Sequence, residues 1–291
     1  MAEGPRIGIR AGTAALALVL LVACSSSGGS PAAVGRTTTT PTPTTTYPDA
    51  IAVLGHSGAT GFDSDPARPG TDAEQNSWAT GENPEVDSVY LRLLALNPAA
   101  RGHAVNVAVD GSGVDDLAGQ AEQALAARPV PDLFLIQTVD NDIRCDGTDD
   151  VNYARFGTAL AAVLRQITSA APRARILVVS SPWATAENYA AVAATLPGPR
   201  AASSGTGPCD LLDPAGQPVP AHERTLTTIT EHYFDQLRSA CTRFRACRYD
   251  DGALAHMTIT ADDITPTDGD HLTVAGLRKQ AALEWQTLGF A

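Results

Sequence analysis

The chain has 291 residues, a formal net charge of −12, and 44% hydrophobic against 18% charged residues. An acidic chain without basic clusters excludes nucleic acid and anionic membrane surfaces as natural partners. Its apolar content suffices for a core, and the roughly 240 residues after the N-terminal segments suit one large domain better than two small ones.

Arg6 and Arg10 precede an uncharged apolar run over residues 11–23. This pattern reads as a signal peptide over residues 1–23, since the run is too short for a comfortable membrane span. The run ends in Leu21-Val22-Ala23-Cys24, which resembles the bacterial lipobox. The resemblance implies cleavage before Cys24, lipidation of Cys24, and export to the outer face of the cell membrane. Secretion without an anchor is the alternative. Residues 24–47 are rich in Ser, Thr, Pro and Gly and have almost nothing to bury. They read as a disordered tether, with Thr-Pro tracts open to O-glycosylation. The folded domain is then 48–291, expected as a monomer.

Four short apolar runs follow, at 50–54, 104–109, 133–136 and 176–179. Continuous runs of this length fit parallel strands covered on both faces. A weaker fifth candidate lies at 256–260. Helical periodicity falls between them, at 86–96, 114–127, 152–170, 226–244 and 274–288. Strands alternating with helices predict an α/β fold. It is a three-layer, doubly wound, flavodoxin-like parallel sheet of about five strands with helices on both faces. Residues 180–223 read as irregular, a lid or substrate-shaping insertion pinned by Cys209.

Four cysteines lie in the domain, Cys145, Cys209, Cys241 and Cys247. An even number in an exported chain points to two disulfides. Three pairings are possible, and the sequence favours Cys241 with Cys247 and Cys145 with Cys209. No metal-ligand spacing occurs. Asp146, Asp149 and Asp150 lack EF-hand spacing and read as a solvated loop.

Chemistry-bearing residues cluster after the predicted strands. They are Gly55-His56-Ser57, Asp110-Gly111-Ser112-Gly113 and Asp140-Asn141-Asp142. A fourth block, Asp268-Gly269-Asp270-His271, precedes the last helix. Acyl transfer needs a nucleophile, a base, a group that orients the base, and donors for the oxyanion. Ser57, His271, a nearby Asp and the Gly-rich turns with Asn141 can supply them. Gly-x-Ser-x-Gly is absent, since Ala59 stands two residues after Ser57, which excludes the α/β-hydrolase nucleophile elbow.

These blocks resemble the SGNH (GDSL-type) hydrolase family over essentially the whole domain. The resemblance implies Ser57 as nucleophile, His271 as base and Asp268 as its orienting acid, with Asp270 as competitor. It places the oxyanion hole on the Ser57 N–H, the Gly111 N–H and the Asn141 side chain. Plain structural readings remain beside these. Ser57 and Asn141 are also ordinary turn residues, His271 an ordinary helix-start residue, and Gly111 a backbone-shape residue. Two positions depart from the family pattern: His56 stands for its Asp, and Val139 for its Gly. His56 reads as a structural hydrogen-bonder or as a second titrating group. Trp78 either lines the acyl pocket or caps the core.

The implied activity is a cofactor-free, metal-free carboxylic ester hydrolase. Its substrates would be small-molecule, lipid or carbohydrate esters, with a mild preference for short acyl groups. An envelope acyltransferase on the same site, and a binding protein on a decayed hydrolase fold, are the alternatives.

Overall fold

The computed structural model describes residues 47–182, 186–196 and 205–290. The signal peptide, Cys24 and nearly all of the tether therefore lie outside the described residues, as do 183–185 and 197–204 of the insertion.

Five parallel strands form one sheet in the order β2-β1-β3-β4-β5. They are β1 (Ile51–Gly55), β2 (Ala104–Asn106), β3 (Leu133–Gln137), β4 (Arg175–Val179) and β5 (Cys247–Tyr249). This is the flavodoxin-like order. β1 and β3 are buried at every position, as the apolar runs predict. Their side chains alternate between two cores. Ile51, Val53, Leu133 and Leu135 face one; Ala52, Leu54, Phe134 and Ile136 face the other.

Among the described residues seven α-helices accompany the sheet: α1 (Ser57–Thr60), α2 (Val89–Leu96), α3 (Leu117–Ala126), α4 (Asp149–Ala170), α5 (Ala186–Ala193), α6 (Pro220–Cys241) and α7 (Val274–Leu288). The first core takes residues of α2, α5 and α7, and the second takes residues of α3, α4 and α6. The result is three layers. Local chemistry sets several helix ends. The Ser88 hydroxyl accepts from Leu91 N–H at 3.2 Å and starts α2. Thr273 caps α7, and Gly289, at φ +67°, ends it.

Two expectations are corrected. The fifth strand is Cys247–Tyr249, paired with β4, and not 256–260. Met257 and Ile259 are buried while their neighbours are exposed, so the segment alternates like a strand. A side chain takes the place of a strand partner there: Asn188 Oδ1 accepts from Ile259 N–H at 3.0 Å. The described residues of the 180–223 stretch are also more regular than its composition suggests, since they include α5 and the first turn of α6. Its Tyr189, Ala190 and Ala193 are buried against the core.

Both disulfides join the favoured pairs, Cys145 with Cys209 and Cys241 with Cys247. Asp149, from the acidic loop, is buried and accepts from the N–H groups of Arg144 and Cys145 at 2.9 and 2.8 Å. It shapes the turn before α4.

Candidate active site

Gly55 ends β1 at φ +145°, and a Cβ there would lie 2.1 Å from the Gln137 carbonyl oxygen. Only glycine fits this approach between β1 and β3. The chain then turns into α1, with Ser57 as its first residue and His56 as its cap. His56 Nδ1 accepts from Gly58 N–H at 3.1 Å. Its Nε2 lies 3.2 Å from Asp140 Oδ2, without hydrogen-bond alignment. His56 thus does the capping work of a carboxylate while tying β1 to the β3 turn.

His271 reaches Ser57 across 214 positions of sequence. Its Nε2 lies 2.7 Å from Ser57 Oγ. Its Nδ1 lies 2.6 Å from Asp268 Oδ2. Asp270 is 4.0 Å from the same nitrogen, with its side chain half exposed. The other Asp268 oxygen accepts from Asp270 N–H at 2.8 Å, His271 N–H at 3.1 Å and the Thr265 hydroxyl at 2.7 Å. Burial opposes the Asp268 charge, but the His271 bond and these donors outweigh it and hold the carboxyl well below its usual range. For His271, burial favours the neutral ring, while the Asp268 hydrogen bond and the Asp270 charge more than offset it and raise its pKa. A carboxylate can only accept, so Nδ1 carries the proton and Nε2 is left to accept from Ser57. Phe62 packs on the imidazole with ring centroids 4.8 Å apart.

The β3 turn brings Asn141 to the same edge. Its Nδ2 donates to the Ser112 carbonyl at 3.1 Å. Asp142 joins this turn to the β2–α3 loop, accepting from Val114 N–H at 3.0 Å. Burial pushes its carboxyl up to about 6. Val139 precedes the turn at φ +116° and is fully buried.

A cavity of about 310 Å³ opens beside Ser57. His56, Ser57, Asn141 and His271 line it, together with Leu211, Leu226, Leu272, Leu277 and the Cys145–Cys209 disulfide. The 205–219 stretch therefore supplies part of the wall. Gly111 is not in this wall. It sits exposed at φ +73°, two residues beyond Val109, whose N–H donates to the Gly55 carbonyl. Trp78 is not in the wall either. It is fully buried in the first core, and its Nε1 donates to Gln137 Oε1 at 2.6 Å.

Several supporting residues carry no sequence signal. Thr265 Oγ1 sits between Asp268 and the buried Asp63, 2.7 and 2.9 Å away. Thr60 Oγ1 lies between Asp72 and Asp110, within hydrogen-bond distance of both carboxyls. Gln137 and Gln280 form an amide pair in the cavity wall. Of these only Gln137 directly follows a predicted strand, the 133–136 run, where the other chemistry-bearing residues cluster.

No family model matches the chain, and no curated protein does. Solved structures do. An alpha/beta hydrolase enzyme from the metagenome of Lake Arreo is 17% identical, with a TM-score of 0.49, over 82% of this chain and 94% of its own. An acetyl xylan esterase is 12% identical, at 0.48, over 82% and 99%. Phospholipase A1 from Streptomyces albidoflavus is 14% identical, at 0.49, over 84% and 99%. The chemistry of this chain rests on its own residues.

Proposed function

We propose that the chain is a serine esterase of SGNH type. One observation carries the reading: a single imidazole stands 2.7 Å from a serine hydroxyl and 2.6 Å from a carboxylate, at the rim of a cavity. His271 Nε2 takes the Ser57 proton as Oγ attacks the ester carbonyl. The carbonyl oxygen becomes the oxyanion, facing the Ser57 N–H and the Asn141 amide. Protonated His271 then gives its proton to the departing alcohol, leaving an acyl-Ser57. Water, deprotonated by the same nitrogen, attacks the acyl group; the acid leaves and Ser57 regains its proton. Asp268 holds the ring tautomer and stabilises the imidazolium. The proposed chemistry needs no metal or cofactor.

Substrates in this reading are carboxylic esters with short acyl groups. The proposed setting is the outer face of the cell membrane, with Cys24 lipidated and residues 24–47 as the tether. Two disulfides support an oxidising compartment. Among the described residues no helix is long and apolar enough to cross a membrane.

The test is Ser57→Ala and His271→Ala against 4-nitrophenyl acetate, with fluorophosphonate labelling. Each substitution should lower kcat by roughly 10⁴ or more, and the label should sit on Ser57 alone. Undiminished turnover in Ser57→Ala refutes the reading.

A further inference from the structure

We infer that His56 positions the nucleophile only while its ring is neutral, so that Ser57 answers to two histidine ionisations and not to that of His271 alone. This inference rests on the esterase reading above.

The capping bond fixes the tautomer. His56 Nδ1 accepts from Gly58 N–H at 3.1 Å and so holds the second residue of α1. A ring nitrogen that bears a proton cannot accept. Nδ1 is therefore bare, and the ring proton sits on Nε2, 3.2 Å from Asp140 Oδ2. An Asp here, the residue of the family pattern, accepts whenever it is ionised. Histidine accepts only while neutral, which makes the cap conditional in this chain.

The protonated ring has nowhere to go. His56 is 3% exposed. The Gln137 amide and His56 Cε1 both crowd Gly58, at 2.6 and 3.0 Å from where a Cβ would stand. The ring is thus held between α1 and the end of β3. A proton on Nδ1 would set two donors, Nδ1–H and Gly58 N–H, against each other. Turning the ring over would put carbon where Nδ1 stood, so the cap is lost either way. Gly58 must then shift, and Ser57 is bonded to it. Ser57 Oγ stands 2.7 Å from His271 Nε2, and a displacement of about 1 Å at such a contact costs on the order of 10² in rate. The charged groups facing His56 are Asp140, on the turn after β3, and Asp270, ahead of α7, whose carboxyl senses the charge of the ring. β1 and α1 contribute none. His56 is a positioning residue, since it acts on the ester only through Ser57.

The test is the acid limb of kcat/KM for 4-nitrophenyl acetate on the full chain, each protein scaled to its own plateau. At the foot of the limb wild type should lose about a hundredfold per pH unit, because both rings must be neutral. His56→Asn, whose side-chain oxygen accepts at every pH, should lose about tenfold per unit. Fluorophosphonate labelling of Ser57 should show the same two slopes. Tryptophan fluorescence at each pH, with recovery on return to neutral pH, confines the comparison to folded protein. A one-proton slope in wild type overturns the inference whether or not the variant folds, and leaves the esterase reading standing. A two-proton slope that persists in His56→Asn also overturns it. The Gly58 amide resonance of isotope-labelled wild type should move with the second proton, and a resonance that stays still overturns the inference without any variant. Absence of both turnover and labelling at every pH overturns the inference together with the reading beneath it.

Discussion

His271 Nδ1 lies 2.6 Å from Asp268 Oδ2, while the opposite nitrogen of the ring lies 2.7 Å from Ser57 Oγ. The acid raises the pKa of the base, and His271 acts only when neutral. The acid limb of kcat/KM should therefore fall above the ordinary histidine value of about 6.5. Asp268→Asn should lower kcat by about 10²–10⁴ and move that limb to lower pH. The stability linkage has two signs. The Asp268 carboxyl is depressed on folding, so its contribution is present above its ordinary value of about 4 and is lost as pH falls through the folded value. His271 is raised, so its contribution is present below about 6.5 and is lost as pH rises through the folded value. Urea melts of wild type and Asp268→Asn should differ most between about pH 4 and pH 6.5, with the gap narrowing on either side.

His56 gives a second prediction. Its Nδ1 caps Gly58 N–H, and its Nε2 faces Asp140. His56→Asn keeps a cap and should melt close to wild type. His56→Ala removes the cap and should cost about 1 kcal/mol. His56→Asp keeps the cap but sets a carboxylate beside Asp140, so like-charge repulsion should make it less stable than His56→Asn. Adding Asp140→Asn should restore that loss. Equal stability of wild type, His56→Asn and His56→Ala would remove His56 from its capping role.

Val139 occupies φ +116°, where a β-branched residue is strained. It is also fully buried in the second core. Val139→Ala loses the packing and keeps the strained backbone, whereas Val139→Gly loses the packing and relieves it. Thermal or urea denaturation should show the glycine variant more stable than the alanine variant by about 1 kcal/mol, against the usual order of the two residues.

The Cys145–Cys209 disulfide spans 64 positions and lines the cavity. Cross-linking so long a loop stabilises by on the order of 4 kcal/mol in the chain-entropy account. The Cys145→Ser/Cys209→Ser protein should lose a large part of that in urea melts. Its KM should rise more than its kcat falls, because the disulfide joins the cavity wall to the 205–219 stretch, while Ser57, His271 and Asp268 hold one another by their own hydrogen bonds. A kcat loss with KM unchanged would contradict this division.

Much of the framework was legible in the sequence because parallel strands covered on both faces need unbroken apolar runs. The runs at 50–54, 133–136 and 176–179 became β1, β3 and β4 for that reason, and Ser57, Asn141 and His271 could be placed at the ends of elements. β5 was not legible. An edge strand pairs on one side only, and three residues suffice for it, whereas 256–260 alternates because Asn188 holds it against the core. The family spacing favoured Asp268 over Asp270, although both lie within three residues of the histidine; the turn that Thr265 organises is what sets the Asp268 carboxylate on the ring. Gln137 and Gln280, 143 positions apart, meet only when α7 packs on the sheet. Local pattern therefore determined which segments are strands and which residues sit at their ends. Long-range packing alone decided what lines the cavity, because those contacts depend on the relative placement of elements that no local periodicity encodes.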